Sequence, residues 1–170
     1  MAGLERTAGG LRLRLAAEEV RVLASLAEGL AQRTRSDATA GDTVLDRLAP
    51  QVSRGDEEVD RELRSLLRED LLGLRASRLE DLVALLGGPT ARGAEQVRDL
   101  DRELDRDEAM RVVEALNDLR LALAATVGYD ADMRDELAEG DHREDAVRLM
   151  DALAWLQGGL IEYVEADGPR

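Results

Sequence analysis

The sequence predicts a mainly α fold, a single-domain helical bundle of about five main helices with a short N-terminal β-hairpin. Hydrophobic residues are 44% of the 170, mostly Leu, Ala and Val, with no Phe, one Trp and two Tyr. That composition favours helix over sheet and requires an aliphatic core. Apolar residues recur at helical spacing over most of the chain, whereas period-two alternation is confined to its start. The length suits one domain able to bury a core of its own.

Leu11, Leu13 and Leu15 alternate with Arg12 and Arg14 behind Gly9-Gly10, which predicts a hairpin within residues 1–15 whose other arm is Leu4–Arg6. From Ala16 to about Thr34 the period becomes helical, with Ala16, Val20, Leu23, Ala27 and Leu30 on one stripe. Residues 35–42 form a polar connection. Residues 43–49 make one or two helical turns stopped by Pro50, and 51–55 are loop. Residues 56–67 are helical, and 69–86 continue or restart that helix up to Gly87-Gly88-Pro89. The charged stretch 90–104 reads as loop with a short helix. Asp105 or Asp107 opens a helix that runs to Val127 and stops at Gly128. After a loop over 129–140, Asp141 with Glu144 makes a capping box for a last helix reaching about Glu165. The bundle thus spans residues 16–166, residues 167–170 are a frayed tail, and the first, third, fourth and last helices supply the core.

Formal net charge is −14, so direct nucleic-acid binding is disfavoured: such binding rests on neutralising phosphates. All 23 basic residues are Arg, and no block of them clusters with aromatics. There is no apolar run of about 18 residues, hence no expected membrane span, and the first residues lack a signal-peptide pattern. With no cysteine either, the simple expectation is a cytoplasmic protein without disulfides, thiolate nucleophiles or cysteine metal sites.

Several polar residues fall on apolar faces. In the helix over 105–127, Arg120 lies near the centre of the stripe, Asn117 at its edge, and Asp118 points away. Glu19 sits within the first helix's stripe, Arg75 among Leu72, Leu79, Leu82 and Leu86, and Gln157 among Leu153, Leu156, Leu160 and Ile161. A buried charge must be paired or neutralised. This predicts a buried network of Glu19, Arg75, Asn117 and Arg120, in which Glu19 meets Arg120 in the core with Arg75 and Asp70 nearby. The alternatives are an anion-binding pocket built on Arg75 and Arg120, or arginines that snorkel to solvent. Trp155 projects from the back of the last helix beside Gly158 and Gly159. Each glycine costs roughly 1 kcal/mol against Ala inside a helix, so these three residues read as a notch, a candidate interface covered by the hairpin or by a second subunit in a homodimer.

Catalytic equipment is missing. His142 is the only histidine, and Glu139-Gly140-Asp141-His142 supplies a single Glu-x-x-His where di-iron bundles use a pair. A solvated histidine is the better reading. No serine has a nucleophile setting, and no Gly-Gly pair has the lysine of a phosphate-binding loop. The expectation is a protein that is not an enzyme and holds no metal or cofactor.

Four stretches carry a family resemblance: residues 9–15 leading into Glu18-Glu19-Val20-Arg21; Glu62-Leu63-Arg64-Ser65-Leu66 with Glu69-Asp70-Leu71; Leu116-Asn117-Asp118-Leu119-Arg120-Leu121; and Trp155-Leu156-Gln157. In order and spacing they resemble an actinobacterial family catalogued as a domain of unknown function, some members of which are described as oxidative-stress transcriptional regulators (AosR-like). The resemblance implies a regulator acting with a sigma factor or RNA polymerase. It also implies genes near a Clp-protease adaptor and a cysteine-biosynthesis cluster, hence the alternative of an accessory protein in one of those pathways. Redox-responsive members are thought to switch through an N-terminal cysteine pair. This chain has none, so thiol–disulfide exchange cannot be its trigger. Sequence reading therefore expects a regulatory interaction protein, with an anion sensor using Arg75 and Arg120 as the alternative from another class.

Overall fold

The computed structural model describes residues 2–36, 42–49, 57–88, 97–129, 141 and 143–166, with side chains of the third helix described from Leu67 onward. Its first elements are β1 (Gly3–Arg6), β2 (Leu11–Leu15), α1 (Ala17–Arg35) and α2 (Thr43–Leu48). They are followed by α3 (Glu57–Leu85), β3 (Leu100–Leu104), α4 (Arg106–Val127) and α5 (Glu144–Ala166). The fold is mainly α, as expected, but its sheet has three strands in the order β1-β2-β3.

The third strand corrects the expectation of loop and short helix over 90–104. β3 runs antiparallel to β2, with Leu11 opposite Leu104 and Leu15 opposite Leu100. Its sequence, Leu-Asp-Arg-Glu-Leu, lacks the β-branched and aromatic residues that mark strands. It is held by its ladder with β2 and by the buried Leu104, and cross-strand charge adds to this: Asp101 lies 3.4 Å from Arg12 and 3.5 Å from Arg14. On the opposite face Leu11, Leu13 and Leu15 are almost wholly buried.

The β1–β2 turn forms where Gly9-Gly10 predicted it. Thr7 closes it, donating its N–H to the Gly10 carbonyl at 2.9 Å, while its hydroxyl donates to Glu103 at 2.5 Å. Neither glycine has positive φ. Gly10 is required instead because any Cβ there would collide with the Leu104 carbonyl oxygen.

Helix ends follow local chemistry. Asp42 caps α2, accepting the Val44 and Leu45 N–H groups at 3.0 and 3.1 Å. Asp105 and Glu108 form a reciprocal capping box at the start of α4. Gly128 ends it in the left-handed conformation, φ +63°. α3 is one continuous helix across residue 68, ending before Gly87 and Gly88, both at positive φ. Asp141 precedes α5 and accepts the Arg143 N–H at 2.8 Å.

Packing places α4 at the centre, against α2, α3 and α5, while α1 lies along α3. The four long helices supply the core, joined by Val44, Leu45 and Leu48 of α2 and by the inward leucines of β2. Among the described residues no helix is long and apolar enough to cross a membrane.

Candidate functional site

The inward-facing polar residues engage partners other than those expected, and two of their buried atoms, Asp118 Oδ2 and Arg120 Nε, have none among the described residues. Glu19 does not meet Arg120. Its carboxylate accepts the Ala2 N–H at 2.7 Å and the Ala16 N–H at 2.8 Å, tying the hairpin's start to the N-terminus of α1. Burial is the largest single influence and works to raise its pKa, but the Ala16 and Ala2 hydrogen bonds and the amino-terminal charge together hold the carboxyl below its usual value. A glutamate at the third helical position of a helix whose cap, Ala16, has no side-chain acceptor is placed for this role.

Asp118, expected to point outward, is instead 1% exposed and pairs with Arg75 across the α3–α4 interface. Asn117 is exposed, and so is Asp70. α4 has neighbours on several sides, so its buried arc extends past the main stripe. Ala115, Leu121, Ala122 and Ala125 form a second stripe around Asp118, and that was the available signal in the sequence. Beside this pair, Arg78 meets Glu114 at 3.0 Å. Burial pushes the Asp118 carboxyl above its usual pKa, and the charges of Arg75 and Arg78 pull it back only in part. Among the described residues its Oδ2 has no hydrogen-bond partner.

Arg120 donates from Nη1 to Gln157 Oε1 at 2.6 Å, and Gln157 Nε2 donates to the Val113 carbonyl at 3.2 Å. Gln157 is 7% exposed, so this chain of bonds stitches α4 to α5 inside the core. Asp118 and Arg120 are two residues apart, about 200° around the α4 axis. Arg75 and Arg120 therefore lie on opposite flanks of α4, where each is engaged by its own partner, Asp118 and Gln157. A separate cleft of about 490 Å³, lined by Arg78, Arg102 and Arg111, lies between α3, α4 and β3. There Arg102 is neutralised by Glu108 at 2.6 Å, as Arg78 is by Glu114.

The expected notch divides. Gly159 lies under β1, where an added Cβ would come within 2.5 Å of Leu4 Cδ1, whereas nothing lies within 4 Å of Gly158. Arg6 strengthens this contact, donating to the Glu162 carbonyl at 2.8 Å with its guanidinium 5.7 Å from the Tyr163 ring centre. The hairpin covers Gly159 but leaves Trp155 57% exposed.

Next to Trp155 is a feature that sequence reading missed. Between α1 and α5 runs a channel of about 250 Å³, walled by Val22 and Leu23 on one side and Leu149, Ala152 and Leu156 on the other. Among the described residues Glu18 and Glu19 are its only charged lining. No periodicity reveals such a gap, because it arises where two amphipathic helices diverge over a shared neighbour. His142 and Glu139 lie outside the described residues, among which no three His, Cys, Asp or Glu side chains converge as a metal site.

No curated protein and no solved structure matches the chain. A family model, described as a domain of unknown function (DUF2017), matches residues 1–164. With nearly its whole length covered, the chain belongs to the DUF2017 family.

Proposed function

We propose that this chain is a non-enzymatic regulatory protein that acts by binding another protein. The partner expected from its resemblance to oxidative-stress transcriptional regulators is a sigma factor or RNA polymerase. The observation that carries the reading is Trp155, 57% exposed and the most exposed large hydrophobic among the described residues. Exposed large aromatics are typical anchors of protein interfaces. The inward-facing charged groups each have a partner within the bundle, Arg75 in Asp118, Arg120 in Gln157 and Glu19 in the Ala2 and Ala16 N–H groups, which supports a role exerted through surface contacts. A net charge of −14 favours a partner with a basic surface and fast, salt-sensitive association. With no cysteine, control rests on the partner or on abundance, not on thiol oxidation.

The test is retention of purified RNA polymerase, with and without sigma factor, on the immobilised chain at low and high salt. Retention at low salt that weakens with salt and is reduced by Trp155→Ala is expected, unchanged by oxidant. No retention of either at low salt rejects the reading.

A further inference from the structure

We infer that the channel between α1 and α5 is a docking site for an apolar segment of a partner protein, flanked by basic residues. The inference rests on the protein-binding function proposed above and gives it a place. α1 packs on α3 while α5 packs on α4 and β1, so the two helices diverge and leave the channel open. Its walls are aliphatic, and one of them, Val22, is 38% exposed to solvent. Trp155 follows Ala152 by three residues, one turn along the α5 wall. Helical side chains lean toward the N-terminus, so Trp155 is directed toward the turn that carries Ala152.

Charge selects the occupant. Glu18 and Glu19 border the channel from α1, and Glu144 and Asp145 lie at the start of α5. Arg21 pairs with Glu18, Arg148 pairs with Glu144 and Asp145, and Glu19 accepts the Ala2 and Ala16 N–H groups, so four carboxylates face two guanidiniums and the surplus is negative. A second copy would bring another −14 against an acidic rim. A segment with apolar residues for the channel and Lys or Arg on either side satisfies both features.

Trp155 is the only tryptophan, so its emission reports occupancy directly. The probes are an amphipathic leucine–lysine peptide and its leucine–glutamate counterpart, titrated into the full chain, with labelled-peptide anisotropy as a second measure. Two variants accompany the wild type: Ala152→Glu in the channel wall, and Leu74→Glu at a 51% exposed position on α3. The leucine–lysine peptide should shift Trp155 emission to shorter wavelength and saturate. Ala152→Glu should weaken binding at least about tenfold, ~1.4 kcal/mol, with Leu74→Glu unchanged and the leucine–glutamate peptide silent. Binding by charge alone would be strengthened by the added glutamate, so equal or tighter binding to Ala152→Glu overturns the inference. So do unmoved emission, equal binding of both peptides, or a concentration-dependent dimer abolished by Ala152→Glu. Polymerase retention that survives Ala152→Glu removes the channel but leaves the proposed function. Peptide binding without polymerase retention does the reverse.

Discussion

Replacing Arg75 by Ala would leave the Asp118 carboxylate with 1% of its residue surface in contact with solvent and its main counter-charge gone. Removing one member of a buried pair typically costs about 3–5 kcal/mol, because the remaining charge stays desolvated. The opposite truncation should be milder. In Asp118→Ala the abandoned group is Arg75, whose side chain is already 19% exposed. Its flexible stem lets the guanidinium swing to water, so roughly 1–3 kcal/mol is expected. For a chain of this size each kcal/mol moves Tm by about 2–4 °C, so Arg75→Ala should melt roughly 6–20 °C below wild type. The penalty should also depend on pH. A carboxyl whose folded pKa exceeds its unfolded value binds more protons folded than unfolded between the two values. Stability from that group is therefore present at low pH and lost as pH rises through the folded pKa. Asp118 is already raised by burial, and losing Arg75 raises it further. The deficit of Arg75→Ala should accordingly shrink from about pH 7 to about pH 5, read by urea unfolding with circular dichroism. A larger cost for Asp118→Ala than for Arg75→Ala, or a deficit equal at both pH values, would refute the reasoning.

Three further outcomes follow from the contacts described. Gly158→Ala should stabilise the protein by up to about 1 kcal/mol through helix propensity, whereas Gly159→Ala should lose that gain by displacing Leu4; equal melting temperatures for the two would mean β1 does not clasp α5. Gly10→Ala, which drives a Cβ into the Leu104 carbonyl, should destabilise by about 1–3 kcal/mol and increase amide exchange in β3. Gln157→Leu removes the acceptor for Arg120 and the donor to Val113, so unfolding measurements should show a loss of about 1–3 kcal/mol, with Gln157→Glu recovering only the Arg120 half.

Much of the secondary structure could be read from the sequence because its causes are local. The alternation of Leu11, Leu13 and Leu15, the cap at Asp105 and the stop at Gly128 each depend on residues within one or two turns. β3 escaped that reading because its stabilising partners, Arg12 and Arg14, lie about ninety residues earlier. The polar residues divide the same way. Periodicity placed Arg75, Arg120 and Gln157 toward the interior, and all three make interhelical bonds there. It could not assign their partners, since a helix's phase fixes the direction of a side chain and not the neighbour it reaches.

Composition and spacing alone determined the helical class, the aliphatic core and the want of thiol chemistry. Tertiary packing decided that Asp118 is buried while Asn117 is not, that β1 covers Gly159 but spares Trp155, and that α1 and α5 part to form a channel. The physical reason is that burial depends on how many neighbours surround an element. α4, enclosed on several sides, hides more of its circumference than one apolar stripe foretells, while α1 and α5, sharing α4 without filling the space between them, hide less.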